Sequence, residues 1–381
     1  MTLRAHTGLA VRLVMRSYVL SVGFVMFALL VVALSIDLTK VLDSLRNKAA
    51  NTDTALWRVL LPYSSYRAVD IVTRLLGTAC VIGGFLATLL RHQRREDVVL
   101  AAAGMSPRFH FTALIATAVL FGSIQFGFQN WLRPAAVSAQ IEAQLGRYGS
   151  WFGRTELTNQ WILGDDIALL ATVNRGENAG LQNLRVFEGL SAPTLTRLIE
   201  ARSAYPDQDS GKWVLENATV WTDANGFVPT VQETVLLPLP LNAASLEWYE
   251  VHGFYLPNRV AREVAKLTGT TAASDAATTL AFRKMALFLP GILILLGGSL
   301  AQIGISGRQF NAPRLLALAA AGYLTVVVVK SFWILGINGR IAPQLAATLP
   351  LAIAFVIGCL LQLHHAGYLL RPKSLPQRHD S

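Results

Sequence analysis

The sequence predicts a polytopic α-helical membrane protein with six transmembrane helices, three on each side of an inserted β-sandwich or jelly-roll-like domain. Of its 381 residues 53% are hydrophobic and only 15% are charged, whereas about 25% are charged in a typical soluble protein. Three long apolar runs precede residue 130, three follow residue 280, and the stretch between them reads as water-soluble. That soluble stretch must therefore lie outside one face of a bilayer.

Each apolar run is close to the ~20 residues that cross ~30 Å of hydrocarbon as a helix. The six predicted spans are 17–36, 69–90, 109–130, 285–305, 315–336 and 345–366. The first run lacks a small-x-small cleavage site before Asp37, so we expect it to remain as an anchor. The predicted division of the chain is 1–130, 131–279 and 280–381.

Lysine and arginine in the short connections predict the orientation. The connection after the second span carries Arg91, Arg94 and Arg95. The N-terminal segment, the connection between the fourth and fifth spans and the C-terminal tail are also basic. We expect that side, with both termini, to be cytoplasmic. The middle domain is then extracytoplasmic.

Residues 131–279 begin and end with helical patterns, at 131–150 and 256–272. Between them, partly alternating runs predict strands at 160–173, 184–190, 195–205, 212–222 and 231–239. Short strands at this spacing favour an antiparallel sandwich or jelly-roll-like sheet. Both cysteines, Cys80 and Cys359, fall inside predicted spans, so we expect no disulfide framework in this domain.

The formal charge of +10 does not point to nucleic acid, because the cations cluster at span ends, where topology and lipid phosphates explain them. Enzyme motifs are also missing from the sequence. The Gly211-Lys212 pair is followed by Trp213 and is no phosphate-binding loop. The sequence therefore predicts a protein that does no covalent chemistry, with no cofactor of its own, and any ATP that drives it is hydrolysed on another subunit.

The connection between the second and third spans predicts a short helix near 92–104, rich in small and apolar residues and closed by Gly104. Such a helix can dock in a partner's groove. The alternative is an amphipathic turn that lies on the lipid headgroups.

This connection resembles the coupling helix of the LptF/LptG permease family, the membrane subunits of the lipopolysaccharide export ABC transporter. The residues that carry the resemblance run from Arg94-Arg95-Glu96-Asp97 to Gly104-Met105-Ser106, with Asp97 in place of the usual Leu. Further matches are Trp131-Leu132-Arg133-Pro134, which is similar to the family's W-x-x-P exit from the third span, and the Trp-containing strands at Trp161 and Trp213. The residues expected by this resemblance to couple to the ATPase are Glu96, Asp97, Val98, Leu100 and Gly104.

The resemblance implies a bacterial inner-membrane protein whose middle domain is periplasmic. The implied partners are a homologous LptF or LptG permease, an LptB dimer that holds ATP and Mg²⁺, LptC and LptA at the periplasmic domain, and lipopolysaccharide as cargo. The β domain is expected to have an apolar groove that can hold acyl chains and a free edge to which a similar domain can add a strand, which suits transfer of lipopolysaccharide. The alternative for the domain is a fully packed docking platform.

The resemblance also places Lys40 and Arg46, after the first span, where family members hold lipopolysaccharide phosphates. The alternative is that both are snorkelling anchors that touch any headgroup. Basic residues that some members carry after the third span are not matched in register, and Arg133 or Arg147 are candidates to replace them.

Asp70 and Arg74 lie four positions apart near the outer end of the second span. Ionisable residues inside a membrane are functional candidates, so this pair is a candidate part of the substrate site. The spacing equally suits a structural i,i+4 salt bridge. Lys330 is expected either to snorkel or to face a central cavity, and Arg283 with Lys284 to mark the outer interface.

The predicted function is thus the extraction of lipopolysaccharide from the inner membrane by an ABC transporter permease, which passes it to a periplasmic bridge. Alternatives are a permease for another lipid or for lipoproteins, and a membrane scaffold or assembly factor that transports nothing. An ion-coupled carrier is disfavoured because few acidic residues lie within the spans.

Overall fold

A computed structural model of the chain describes residues 2–103, 108–146, 149, 156–175, 179–207, 210–267, 269–305 and 311–365. The first half contains α1 (Thr2–Asn51), α2 (Leu56–Gln93), α3 (Glu96–Ala102), α4 (Arg108–Gly127), a π-helical segment (Phe128–Leu132) and α5 (Arg133–Glu142). The second half contains α6 (Ala243–Glu247), α7 (Asn258–Val264), α8 (Thr271–Met285), α9 (Leu289–Gly304), α10 (Ala312–Ile337) and α11 (Pro343–His365).

The long helices confirm the predicted membrane class. Within the described ranges, five helical segments are long and apolar enough to cross a bilayer, and α8 with α9 forms a sixth as a pair bent by 63°. The fourth span was predicted as the run 285–305, but α9 has only 16 residues, about 24 Å at the usual rise per residue. The end of α8 supplies the remaining length. Pro290 sits in the first turn of α9, where its missing N–H leaves no intrahelical bond unmade.

Glycines bring α2 against α9 with almost no space between their backbones. A Cβ atom at Gly84 would lie 2.8 Å from the carbonyl oxygen of Ile294. Gly297 on α9 likewise lies against the backbone carbonyl of Val81 on α2. Close contact through small residues is how membrane helices associate where burial from water adds little. These two helices therefore form the centre of the helical part, with α1 and α4 packed beside them.

The middle domain is one six-stranded antiparallel sheet. Its strands are β1 (Glu156–Leu163), β2 (Ile167–Asn174), β3 (Gly180–Glu188), β4 (Arg197–Pro206), β5 (Trp213–Thr222) and β6 (Thr230–Leu237). The predicted run 160–173 is a hairpin that turns at Gly164-Asp165-Asp166. Each strand pairs with its neighbour in the chain, in the order β1 to β6, so the domain is a meander rather than two separately hydrogen-bonded sheets.

One apolar cluster fills the inner face of this sheet and takes side chains from all six strands. Trp213, only 1% exposed, is its largest member, and its indole Nε1 donates to the carbonyl of Leu241 at 2.7 Å. Leu241 and Leu246, which follow β6, close the cluster. The tryptophan thus fixes the chain after the last strand as well as the sheet.

Candidate functional site

One face of α2 carries a row of polar side chains at its end nearest the β domain. Tyr63, Arg67, Asp70 and Arg74 follow one another at intervals of four, three and four positions. Residues at these intervals lie above one another on the same face of a helix. The face points into the protein, since Tyr63 and Asp70 are buried.

Asp70 is the centre of this row and is only 1% exposed. Its Oδ2 accepts from Arg67 Nη1 at 2.8 Å, and its Oδ1 accepts from Arg74 Nε at 3.1 Å. Arg133 Nε and Nη2 both approach the same Oδ1 at 2.8 Å. The i,i+4 salt bridge expected from the sequence is therefore present, within a larger network. Ion-pair partners on three sides offset the cost of burying this carboxylate.

Arg133 reaches Asp70 from the end of the π-helical segment. The backbone N–H of Arg133 bonds to the carbonyl of Phe128, a π-type step. Pro134 has no N–H and cannot donate to Asn130 four residues earlier. The carbonyl of Asn130 accepts instead from Asn258 Nδ2 at 3.2 Å, across to α7. The W-x-x-P sequence thus places a π-bulge where the arginine must turn towards α2, as such bulges often do at functional sites.

A second carboxylate ties α1 to this network. Asp37 Oδ1 lies 2.8 Å from Arg67 Nη2, and Asp37 Oδ2 accepts from the hydroxyl of Tyr63 at 2.6 Å. Arg67 therefore bridges Asp37 and Asp70. The end of the first span is held against α2 by this bridge.

The segment between α6 and α7 covers the network with aromatic rings. The guanidinium carbon of Arg133 lies 4.4 Å from the ring centre of Phe254, and that of Arg74 lies 5.2 Å from it. Arg74 also donates to the hydroxyl of Tyr255. Cations over aromatic faces at these distances attract the rings. The β domain's return segment is thereby anchored on the two arginines.

His252 lies beside Phe254, with their ring centres 5.5 Å apart. Its Nδ1 is 3.8 Å from Asp275 Oδ2, and the same carboxylate oxygen accepts from the backbone N–H of Gly253 at 2.7 Å. The neighbouring Asp275 carboxylate raises the pKa of His252 above its usual value, because it favours the protonated imidazole. Asp275 thus attaches this covering segment to α8.

Arg283 is buried within the protein, whereas the sequence predicted that it would mark the membrane interface, so that prediction is wrong. It is 3% exposed, and its guanidinium donates to Asn258 Oδ1 at 2.7 Å and to the carbonyls of Phe254 and Leu256 at 3.1 and 2.7 Å. These three acceptors compensate the Arg283 guanidinium for its burial away from water. Periodicity cannot reveal such a role, because the acceptors are backbone carbonyls of another segment.

A cavity of about 300 Å³ opens beside this network, between α2, the π-helical segment, α8, α9 and α10. Arg74, Arg133, Arg283 and Lys330 line it, so it holds four cationic side chains. The rest of the wall is largely apolar and includes Gly77, Phe254, Phe282, Leu289, Leu293, Val326, Val329, Trp333 and Ile334. Of the two expectations for Lys330, the structure favours the one in which it faces a cavity. A cavity with cationic side chains and an apolar wall suits an amphiphile that carries acidic groups.

The structure brings together three of the five predicted substrate residues, namely Asp70, Arg74 and Arg133. Lys40 and Arg46 lie on exposed faces of α1, away from the cavity lining as described, and Arg46 is 3.9 Å from the exposed Asp43. Arg147 lies outside the described residues. Lys40 and Arg46 therefore belong to a separate surface.

The helix predicted near 92–104 is α3, which begins at Glu96, because α2 continues to Gln93 and Arg95 has a positive φ of 55°. Val98 is 62% exposed, whereas Asp97 and Leu100 are partly buried against the spans. Glu96 is also partly buried, with Arg94 Nη1 3.8 Å from its Oε1. Gly104 lies outside the described residues. The predicted coupling residues thus divide between an outer and an inner face.

Sequence reasoning missed Asp37, Arg67 and Phe254 as members of the site. Arg67 had a usable signal, because Arg67 and Asp70 are three positions apart and both follow Tyr63 on one helix face. Asp37 had none, because its partners Tyr63 and Arg67 lie on another helix. Phe254 had none, since it reaches the cavity through the fold of the middle domain.

The described residues contain no group of three or more His, Cys, Asp or Glu side chains arranged to hold a metal ion. A family model described as "Lipopolysaccharide export system permease LptF/LptG" matches residues 12–364. A comparison with curated proteins found no match.

Proposed function

Because this chain belongs to the LptF/LptG family of lipopolysaccharide export system permeases, we propose that it extracts lipopolysaccharide from the inner membrane as one permease subunit of an ABC transporter. The division at about residues 130 and 280 then separates two membrane halves from a periplasmic domain. Both termini and α3 are cytoplasmic in this proposal. The clustering of cations in the connections on the α3 side supports it.

The observation that carries the proposal is the cavity with four cationic side chains and an apolar wall. Around Asp70, three guanidinium groups from Arg67, Arg74 and Arg133 face two carboxylates, Asp37 and Asp70. Arg283 and Lys330 add two further cations. The positive charge left over is available to an anion, and lipid phosphates form charge-assisted bonds with such groups.

The apolar part of the cavity wall suits acyl chains. It includes Leu289, Leu293, Val326 and Val329 from α9 and α10. Each CH₂ moved from an apolar surface into water costs ~0.8 kcal/mol, so lipid extraction requires a continuous apolar path. The cavity supplies the part of that path that adjoins the headgroup.

Lys40 and Arg46 are proposed as a second contact for the same lipid. Both are exposed on α1 beyond Asp37, where they remain free to meet phosphates near the outer leaflet or in a partner subunit's cavity. A large lipopolysaccharide headgroup bears more than one phosphate, so two separated basic sites suit it.

The partners follow from two surfaces. The exposed face of α3 at Val98 is proposed to dock on an LptB ATPase dimer that carries ATP and Mg²⁺, with Glu96 at its start. The exported sheet is proposed to receive lipopolysaccharide and pass it on through LptC and LptA. A homologous LptF or LptG permease completes the transporter.

The test uses the full transporter in proteoliposomes that contain lipopolysaccharide and excess phospholipid. A photo-crosslinking residue replaces Phe282, which lines the cavity, or Leu324, which is exposed on α10 outside the cavity lining. We expect lipopolysaccharide to be captured at position 282 before ATP is added and to be lost from it during turnover. Position 324 should capture mainly phospholipid.

Capture of phospholipid alone at position 282 would point to another lipid as cargo. Capture of lipopolysaccharide equal to that at position 324, and unchanged by ATP, would contradict a transport role and favour a scaffold.

A further inference from the structure

The inner face of α3 holds a polar contact with the membrane helices. The helix has seven residues, and its exposed side presents Val98 and Val99 at 62% and 64%. On the other side, Leu100 packs on the apolar cluster of the helical part. Asp97, three positions before Leu100, faces the same way.

Arg91, in the last turn of α2, lies next to Asp97. It is 1% exposed, although it is an arginine at the end of a predicted span. Its Nη1 is 3.7 Å from Asp97 Oδ1 and 3.3 Å from His110 Nδ1 on α4. On the other side, its guanidinium lies 5.1 Å from the ring centre of Tyr18 on α1. One side chain thus contacts α1, α3 and α4 from α2.

The charge of Arg91 makes this contact specific. A guanidinium taken out of water is costly unless a carboxylate and hydrogen bonds offset it. Within the part of the chain that the structure describes, Asp97 is the one carboxylate at ion-pairing distance from Arg91. Any displacement of α3 away from the spans would leave Arg91 without that partner. Asp97 occupies the position at which the family pattern has Leu.

We propose that Arg91 and Asp97 are a positioning pair that transmits movement of α3 to α1, α2 and α4. This inference rests on the proposed function, in which an ATPase moves α3. It assigns Asp97 to the side of α3 that contacts the spans, whereas the family resemblance placed it among the residues that touch the ATPase. Tyr18 and His110 are the groups through which the pair reaches the first and third spans.

The test is a double-mutant cycle in the reconstituted transporter, with Arg91→Met, Asp97→Leu and the double variant. The readout is lipopolysaccharide released per ATP hydrolysed, measured with the amount of ATPase bound. Each single variant should lower that ratio about tenfold while ATPase remains bound. The double variant should recover most of it, because an apolar contact replaces the ion pair.

Lys266→Gln is the matched control, since Lys266 forms an exposed 2.8 Å ion pair with Glu263 in the connector before α8. A merely structural role would lower bound ATPase, hydrolysis and release together and leave their ratio unchanged, which would overturn the proposal. Single effects that simply add in the double variant would overturn it as well. Asp97→Asn, at a partly exposed position, provides a further single variant if Arg91→Met does not fold.

A second readout separates this proposal from the proposed cargo. In a background of Cys80→Ala and Cys359→Ala, the labelling rate of the Phe282→Cys variant reports ATP-driven opening or closing of the cavity. If labelling responds to ATP but no lipopolysaccharide is released, lipopolysaccharide is not the cargo. The proposal for Arg91 and Asp97 is then judged from the labelling rates alone. Loss of the ATP response in both single variants and its return in the double variant support it. An unchanged response in the single variants refutes it.

Discussion

Arg133 and Asp70, 63 positions apart in the chain, meet with Nε and Nη2 of the guanidinium both 2.8 Å from one carboxylate oxygen. This contact joins the end of the third span to the second. With Arg67 and Arg74 it surrounds a single buried carboxylate, and the rim of the cavity depends on that arrangement.

We expect Asp70→Asn to destabilise the protein by ~3–5 kcal/mol, because three guanidinium groups lose the carboxylate that compensates them. Thermal unfolding in detergent at constant pH measures the change. Asp43→Asn is the control, since Asp43 forms an exposed 3.9 Å ion pair with Arg46, and such pairs contribute ~0–1 kcal/mol. Equal shifts in the two variants would show that the network does not hold the helices together.

Gly84→Ala should destabilise the helical part by ~1–3 kcal/mol, because the added methyl group overpacks the contact between α2 and the backbone of Ile294. Gly23→Ala on α1 is the matched control, as nothing lies within 4 Å of its Cβ position. Unfolding midpoints of the two variants in the same detergent give the comparison. A neutral Gly84→Ala would mean that α2 and α9 can separate at little cost.

Two tryptophans of the β domain should respond differently to replacement. Trp213→Ala removes a fully buried ring and its hydrogen bond to Leu241, for an expected loss of ~3–5 kcal/mol. Trp161, which is 57% exposed and stacked on Phe187, should change stability by only ~0.5 kcal/mol when replaced by Ala. Limited proteolysis of the full chain reports unfolding of this domain. Equal proteolysis rates for both variants would contradict the core described for the sheet.

Val98→Asp should weaken binding of the ATPase subunit by about tenfold or more, because a charge enters the exposed apolar face of α3. Copurification at graded ATPase concentrations measures the loss, and the unfolding midpoint should stay unchanged. Lys266→Gln is again the control, because Lys266 forms an exposed ion pair in the connector before α8. Undiminished binding of Val98→Asp would place the docking surface elsewhere.

The pairing of His252 with Asp275 predicts a pH dependence. The folded-state pKa of His252 is raised from its ordinary value of 6.5, so the histidine stabilises the fold fully below that value. The contribution is lost as pH rises through the folded-state pKa. The unfolding midpoint of His252→Ala should therefore fall below that of the unaltered protein at pH 5.5, and the two should converge by about pH 8. A difference that grows with pH would have the wrong sign.

The fold could be predicted from the sequence because both of its signals are local. Apolar runs of bilayer length reveal spans, and alternation bounded by turn residues reveals strands. The predicted run 160–173 nevertheless contains two strands, β1 and β2, joined by a hairpin turn. The bend between α8 and α9 was not visible, because hydropathy is continuous through residues 285–305. A change in backbone direction leaves no trace in an average over apolar side chains.

The site could be predicted only where one helix contains both partners. Asp70 and Arg74 share a face of α2, and their spacing of four residues predicted the salt bridge between them. Arg133 was named without its partner, and Arg283 was assigned to the interface, because their partners lie on other segments. The inward direction of Asp97 depends on the turn at Arg95, which no periodic pattern encodes. The roles of Lys40 and Arg46 in lipid binding stay predictions.

The meander order of the β domain has a consequence for biogenesis. Every ladder in the sheet joins strands that are adjacent in the chain, and local pairings form faster than distant ones. As the polypeptide is synthesised, each new strand finds its neighbour already in place. The sheet can thus be completed hairpin by hairpin before the last three spans have been synthesised, with β1 and the newest strand as its two edges at every stage.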